Sequence, residues 1–184
     1  MRRVAAAVAM AVIVIGAAIV LRSEGRLWNC ACGQIYLWAG DIWSAHNSQH
    51  LLDPYAFTHV LHGFLFFWLA SLVAARLWPA WQLTLTVLLE AIWEVIENLE
   101  FSIERYRTAT ISVGYQGDTI LNSFGDILAC VLGFWLARYL GVRLAIMVFF
   151  LTELVLLVWI RDSLLLNIIM LVYPVEAILR WQLG

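Results

Sequence analysis

Long apolar runs separated by short polar connections dominate the pattern along the chain. Six runs approach or exceed the roughly 17–25 residues that a membrane-spanning helix needs. They cover approximately residues 4–21, 55–75, 78–99, 118–140, 144–160 and 164–179. The pattern predicts an all-α polytopic membrane helical bundle with about six transmembrane helices, folded as a single integral-membrane domain over residues 1–184.

The first run follows a basic start, Arg2 and Arg3, as a signal sequence does. We expect residues 1–21 to be a signal anchor that is retained as the first helix. Two connections are long and polar, residues 22–54 and residues 100–117, and the helix order puts both on one side of the membrane. The two N-terminal arginines favour a cytoplasmic N-terminus. This orientation predicts that both polar loops are periplasmic.

Composition supports the membrane interpretation. The chain is 64% hydrophobic and 13% charged, whereas soluble domains average about 25% charged residues. The net charge of −2 gives no basic patch for nucleic acid. The chain contains no lysine, which excludes a lysine nucleophile or Schiff base.

Ionisable and amide side chains gather at one end of the predicted bundle. Antiparallel helices bring the start of the second run, the end of the third and the start of the fourth to the same side. Within each run the polar residues are three or four positions apart, so each helix presents them on one face. These faces should point into the bundle, because charge is costly in lipid. The residues are His59 and His62, then Glu90, Glu94 and Glu97, then Asp118, Asn122 and Asp126.

This combination of imidazole and carboxylate matches the ligands of a divalent metal ion such as Zn, Fe or Mn. A carboxylate that does not bind the metal would act as a general base. Arginines near the same end could bind an anionic headgroup. The candidate metal ligands are His59, His62, Glu94 and Asp118; the candidate catalytic residues are Glu94, Glu97, Asp126 and Asn122; the candidate substrate-binding residues are Arg105, Arg107, Arg161, Asp162 and His50.

The leading hypothesis is a metal-dependent hydrolase or transferase that acts on a lipid or lipid-linked substrate. A proton- or ion-coupled transporter is the rival, with Glu90 and Glu153 as relay stations. A membrane assembly or interaction protein that binds a partner through its outer loops is a third interpretation. A purely structural network, in which arginines pair with the carboxylates, also fits the pattern.

Two cysteines, Cys30 and Cys32, lie one residue apart in the first loop. Oxidation is feasible if the loop is extracytoplasmic, but such a tight disulfide ring would be strained. Two cysteines alone also fall short of a structural zinc set. His46 and His50 lie in the same predicted loop, where histidines are commonly just exposed. Cys130 lies in an apolar run and is expected in the core.

Three polar-rich segments carry a family resemblance: "NSQHLLDPYAFTHVLHGFLFF", "EAIWEVIENLEFSIERYRTATISVGYQGDTILNSFGDILACVLGFWLA" and "IRDSLLLNIIMLVYPVEAILRWQ". They resemble the bacterial membrane proteins of uncharacterised protein family 0314, also called domain of unknown function 2585. The resemblance covers about residues 25–182. It implies a small multi-pass protein of the bacterial inner membrane and brings no activity with it. A looser similarity to small VanZ-like membrane proteins is an analogy only.

Overall fold

The computed structural model describes the backbone of residues 1–184 and every side chain except that of Arg2. Its regular structure is entirely helical, as the hydrophobic pattern predicts. The helices are α1 (Arg2–Ser23), α2 (Ala56–Val73), α3 (Pro79–Glu97), α4 (Glu100–Ala109), α5 (Ile120–Trp159), α6 (Leu164–Val172) and α7 (Glu176–Leu183).

Three helices are long and apolar enough to cross a membrane. They are Arg3–Ser23, Ala56–Val73 and Ile120–Trp159, with mean hydropathies of 2.9, 1.6 and 2.2. Large apolar side chains remain on their outer faces; Leu72 is 81% exposed and Val158 is 78% exposed. Exposed apolar surface on this scale is unfavourable in water and favourable against lipid. The helices therefore support association with a membrane.

The 40-residue helix α5 is interrupted at Gly141, whose φ of 72° and ψ of 163° are not helical. The arm before the break runs parallel to α2, with Gly133 against Val60. The arm after it runs antiparallel to α2, because Phe149 contacts Phe64 and Trp159 contacts Phe57. The chain thus reverses at a glycine that tolerates positive φ. This reversal separates the fourth and fifth predicted spans.

The sixth predicted span is not one continuous helix. It divides into α6 and α7 around Tyr173–Val175, where Pro174 cannot donate a helical hydrogen bond. Both ends of this segment lie at the same end of the bundle, because Gln182 Nε2 donates to Arg161 O at 3.0 Å. At nine residues, α6 is about 14 Å long, too short to span the hydrocarbon core. The expectation of six spanning helices is therefore not met.

The predicted polar loop over residues 100–117 also contains regular structure, because its first part forms α4. Helix α4 packs against α6, and Arg105 Nε donates to Leu171 O at 2.8 Å. The first loop, residues 24–55, crosses the start of α5. There, Leu121 N donates to Trp28 O at 3.1 Å and Thr119 N donates to Ser48 O at 3.0 Å. Both connections thus cover the polar end of the bundle.

Small residues bring α2 and the first arm of α5 into backbone contact. A Cβ atom added at Gly63 would lie 2.1 Å from Cys130 O, and one added at Gly133 would lie 1.9 Å from Val60 O. Close approach through small residues is the usual way in which helices pack in membranes. Helix α1 packs against α3 through a core that includes Ala17, Val87 and Ala91. This packing holds the polar faces of α2, α3 and α5 toward one another.

Candidate functional site

The two histidines of α2 share one carboxylate from α3. His59 Nδ1 lies 2.5 Å from Glu90 Oε1, and His62 Nδ1 lies 3.0 Å from Glu90 Oε2. All three side chains are buried. A carboxylate accepts hydrogen bonds from the Nδ1–H groups, so it leaves the Nε2 atom of each neutral ring with a lone pair. Glu90 therefore orients both rings, as carboxylates do behind metal-binding histidines.

Glu94 lies one turn further along α3 and is fully buried. Its Oε1 is 3.4 Å from His59 Nδ1, and this nitrogen already forms a hydrogen bond with Glu90. Neither Glu94 oxygen has a hydrogen-bond partner, and Oε2 of Glu97 has none either. Buried carboxylate oxygens without partners are costly. Their convergence indicates that a cation, protons or ordered water belong between them.

Helix α5 approaches His59 from its other side. Asp126 Oδ2 lies 4.0 Å from His59 Nε2, and Asp126 Oδ1 has no hydrogen-bond partner. The amide of Asn122 is buried, and neither of its side-chain atoms has a partner. His59 is therefore the point at which α2, α3 and α5 meet. We call His59, His62, Glu90, Glu94, Glu97 and Asp126 the bundle cluster.

Asp118 lies at the rim of this cluster and is already well bonded. Its Oδ2 accepts hydrogen bonds from Asn98 Nδ2 and Tyr115 Oη, both at 2.8 Å, and its backbone N–H donates to Asn98 Oδ1 at 2.7 Å. Burial raises the pKa of Asp118, while the hydrogen bonds from Tyr115 and Asn98 oppose that rise. The side chain joins the end of α3 to the start of α5.

A cavity of about 40 Å³ lies beside His59. Since one water needs about 10–15 Å³ of such a volume, the cavity has room for a few waters or a hydrated ion, but not for a lipid headgroup. Asp53 lines it, and burial raises the pKa of that carboxyl to about 6 although two backbone N–H groups donate to it. The other lining residues include Asn47, Ser48, Tyr55, Thr58, His62, Trp93, Glu97, Tyr106, Ser112, Tyr115, Asp118, Asn122, Asp126 and Asn167.

The predicted arginines lie at this end of the molecule but outside the cavity lining. Arg105 donates to Leu171 O, Arg107 Nε to Tyr115 O at 2.5 Å, and Arg161 to Trp181 O at 3.1 Å. Among the side chains that the structure describes, no arginine forms an ion pair with a bundle-cluster carboxylate. The arginine–carboxylate network considered from the sequence is therefore not what neutralises the cluster.

Two further predicted substrate-binding residues lie away from His59. His50 contacts His46 and Tyr36 in the first loop. Asp162 accepts from Asn167 Nδ2 at 3.2 Å and from Tyr55 Oη at 3.4 Å. Burial raises the pKa of Asp162 to about 6. Through Tyr55 and Asn167, Asp162 supports the rim of the cavity from outside.

Two site residues, Glu90 and Asp53, were not among the candidate ligands, catalytic residues or substrate-binding residues, although the sequence carried signals for both. Glu90 is four positions before Glu94, which places it on the same face of α3. Asp53 precedes Pro54, and its carboxylate accepts from Ser48 N and Tyr55 N at 2.8 Å. Glu153, which the transporter hypothesis takes as a relay station, accepts hydrogen bonds from Leu164 N and Leu165 N and so caps the start of α6.

The donor set fits a metal ion in two overlapping ways. His59, His62 and Glu90 present ligand atoms within 4.8 Å of one another, and so do His59, Glu94 and Glu97. In the first group, both carboxylate oxygens are occupied by imidazoles. In the second group, three of the four carboxylate oxygens lack a partner. The second group therefore has more capacity for an ion.

The fold and this cluster define an all-helical protein of membrane type with a buried histidine–carboxylate site. A family profile described as "Protein of unknown function (DUF2585)" matches residues 21–184. The chain belongs to this family, as the sequence segments predicted.

Curated relatives carry the family name UPF0314 protein. The relative from Rhizobium meliloti is 47% identical over 161 residues, which cover 87% of this chain and 81% of that protein. The relative from Novosphingobium aromaticivorans is 46% identical over 171 residues, with coverages of 90% and 86%. The relative from Brucella anthropi is 44% identical over 161 residues, with coverages of 88% and 82%. No solved structure gives a significant match.

Proposed function

We propose that this protein is a metal-dependent membrane hydrolase or transferase whose centre is the bundle cluster. One observation carries the proposal: Glu94, Glu97 and Asp126 lie around His59, and four of their buried oxygens have no hydrogen-bond partner. Burying several carboxylates together requires that a cation or protons neutralise them. A divalent ion of the Zn, Fe or Mn class would neutralise them and suits imidazole and carboxylate ligands.

The proposed ligands are His59, Glu94 and Glu97. Glu94 approaches Nδ1 of His59, the atom that hydrogen-bonds to Glu90. Metal binding through this nitrogen would therefore require Glu90 to release His59 while it still orients His62. A bound ion of this kind activates water or polarises a carbonyl or phosphoryl oxygen. Asp126 lies on the α5 side of His59, where it can accept a proton from the attacking water. The free amide of Asn122 can donate a hydrogen bond to a developing oxyanion. His62 and Asp118, which we also considered as ligands, serve positioning roles in this arrangement.

The substrate class is a lipid or lipid-linked group that enters from the leaflet. Because the cavity holds only about 40 Å³, a headgroup can enter only if the segment that contains Asn47 and Ser48 moves aside. Arg105, Arg107 and Arg161 lie at the same end and would bind an anionic part of the substrate after exchanging their carbonyl partners. Apolar packing around the buried side chains of Phe64 and Phe134 separates the cavity from the opposite end of the bundle.

We place the protein in the bacterial inner membrane with its N-terminus in the cytoplasm and the bundle cluster on the periplasmic side. The relatives named above come from bacteria, and the basic N-terminus follows the positive-inside rule. Helices α1, α2 and α3 and the two arms of α5 then make five crossings. The pair α6 and α7 stays on the periplasmic side because both of its ends lie there.

Metal analysis of the purified full-length chain tests the centre. We expect stoichiometric metal in the wild type and its loss in Glu94→Gln, an isosteric change that removes one ligand charge. The matched control is Glu153→Gln, which alters a buried carboxylate outside the bundle cluster. Turnover of defined phospholipids in proteoliposomes then tests the reaction class. The proposal is wrong if wild-type protein holds no ion at this cluster, or if Glu94→Gln retains it.

A proton- or ion-coupled carrier is the second candidate, and a polar stripe along α3 favours it. The stripe consists of Gln82, Thr86, Glu90, Glu94 and Asn98, four positions apart and all buried. It extends for about 24 Å along the helix, and Thr86 Oγ1 has no partner. Buried polar groups at membrane depth often mark ion or proton paths.

The carrier interpretation has its own test in proteoliposomes that contain a pH-sensitive dye. A carrier should collapse an imposed proton gradient, and Thr86→Val should slow this flux. Thr84→Val is the matched control, because Thr84 Oγ1 already bonds to Ala80 O within its own helix. Flux that is equal to that of protein-free vesicles would exclude the carrier and leave the enzyme.

A further inference from the structure

Four side chains with metal-binding atoms converge in the first loop, away from the bundle cluster. Cys30, Cys32, His46 and His50 each offer one ligand atom, and these atoms lie within 4.8 Å of one another. We call this group the loop cluster. Along the sequence its two pairs are separated by more than a dozen residues. The fold of the loop, and not local spacing, therefore assembles them.

Contacts within the loop cluster are close. His46 Nδ1 lies 2.9 Å from His50 Nε2, and the two rings stack with centroids 5.1 Å apart. Cys32 N lies 3.3 Å from Cys30 Sγ. Cys30 and His50 are buried, whereas Cys32 is exposed. One side of the group is thus enclosed by protein and the other is open to an entering ion.

Two thiolates and two imidazoles form a standard tetrahedral set for Zn²⁺. The charges also balance, because two thiolates neutralise the divalent ion while neutral histidines add none. With bond lengths of about 2.3 Å to sulfur and about 2.0 Å to nitrogen, ligand atoms around zinc lie about 3.3–3.8 Å apart. The observed arrangement needs only small shifts of the side chains and of the loop near Tyr36 to reach this geometry.

We propose that Cys30, Cys32, His46 and His50 bind a Zn²⁺ ion that fastens the first loop over the bundle. This site is independent of the reaction proposed for the bundle cluster. The sequence alone left Cys30 and Cys32 two ligands short of a structural zinc set. The tertiary fold supplies the missing pair, with the His-x-x-x-His spacing that zinc sites use.

The location of the loop cluster explains what the ion would do. His46 and His50 flank Asn47 and Ser48, which line the cavity beside His59. Ser48 has a φ of 61°, an unfavourable value for a residue other than glycine. Its N–H donates to Asp53 Oδ2 at 2.8 Å. A metal ion that holds both flanking histidines would stabilise this strained turn and keep the cavity covered.

One contact must change when the ion binds. Tyr36 N donates to His50 Nδ1 at the long distance of 3.3 Å, which leaves the proton of the neutral ring on Nε2. Binding of zinc through Nε2 moves that proton to Nδ1 and breaks this hydrogen bond. The loop around Tyr36 must therefore shift slightly, so a backbone change at Tyr36 is a second signature of occupancy.

Cobalt substitution tests the loop cluster separately from the bundle cluster. Full-length protein is purified with its thiols reduced, loaded with Co²⁺ and then titrated with Zn²⁺. Thiolate-to-cobalt charge-transfer absorption reports the loop cluster once Cys130, which contacts Glu90 of the bundle cluster, is replaced in a control. We expect this absorption in wild type and in the control Cys130→Ser, and its loss in Cys30→Ser/Cys32→Ser.

A second variant keeps the test decisive if the double serine variant folds poorly. His46→Gln retains both thiols and should weaken Zn²⁺ binding by at least about tenfold. Both loop variants should keep the metal that Glu94→Gln loses, so the two proposals fail independently. Absence of the thiolate band in reduced wild type, its persistence in Cys30→Ser/Cys32→Ser, or formation of a Cys30–Cys32 disulfide in the presence of Zn²⁺ would overturn the proposal.

Discussion

The bundle cluster and the loop cluster occupy the same end of the molecule but are built in different ways. The bundle cluster presents its side chains from helices, with carboxylates in excess and several buried oxygens lacking partners. The loop cluster presents sulfur and nitrogen from an irregular segment, with Cys32 exposed. The comparison distinguishes an enclosed cluster on helices, which fits the proposed reaction centre, from an accessible cluster in a loop, which fits the proposed structural ion.

The largest expected difference between the clusters is in metal content. If the proposal is correct, Glu94→Gln should remove about one ion per chain from the bundle cluster, because Glu94 is the proposed ligand that is fully buried with two oxygens lacking partners. The loop cluster should keep its thiolate signature in this variant. Simultaneous loss of both metals would show that the clusters are not separate sites.

The next difference is in the rate of metal release. A hydrophilic chelator should remove the loop ion quickly because Cys32 is exposed, whereas the bundle ion should persist behind fully buried Glu94. Residues 46–50 should then become more sensitive to protease, because the ion that would hold His46 and His50 together has been removed. The measurement is the time course of cobalt absorption together with limited proteolysis. Equal release rates for the two ions would contradict the enclosed geometry of the bundle cluster.

Packing between α2 and α5 should affect the clusters unequally. Gly133→Ala would place a Cβ 1.9 Å from Val60 O and force the backbones apart, at a cost of about 1–3 kcal/mol. Thermal unfolding in detergent measures the loss, and weaker metal binding at the bundle cluster should accompany it. Gly16→Ala, which meets open space in α1, is the control. Equal stability of the two variants would contradict the close contact.

An effect of similar size, but confined to a pH window, is a pH dependence that originates outside the bundle cluster. Burial raises the pKa of Asp162 from 3.8 to about 6, so the folded state holds this proton more tightly than the unfolded state. The free energy of unfolding should therefore fall as pH rises from about 4 through about 6. Asp162→Asn should flatten part of this slope, by on the order of 1–3 kcal/mol, whereas the exposed-residue control Glu104→Gln should not. An unchanged slope in Asp162→Asn would contradict the assignment.

The helical class and the location of the bundle cluster were predictable because periodicity encodes them. His59 and His62 share a helical face through their spacing of three, and Glu90 and Glu94 do so through their spacing of four. Family membership was also predicted from three segments and is confirmed by the family match. The pairing of Glu90 with both histidines was not predictable, because it depends on the relative rotation of α2 and α3.

Periodicity could not predict where the chain reverses direction or which groups the charged side chains contact. The break at Pro174 turns the sixth apolar run back to the end where it began, and the hydropathy of that run does not distinguish crossing from returning. The arginines near the polar end bond to backbone carbonyls such as Leu171 O. Their positions in sequence had suggested carboxylate or substrate partners.

The sequence by itself determined that the protein is a helical bundle with one polar end, since side-chain spacing and hydrophobicity act locally along each helix. Only the tertiary structure decided which polar groups meet. Packing of α2 against α5 through Gly63 and Gly133 brings His59 to Asp126, and packing of α2 against α3 brings it to Glu90 and Glu94. The folded loop brings Cys30 and Cys32 to His46 and His50. These contacts join residues that are distant in sequence, so they are decided by packing and chain reversal instead of local periodicity.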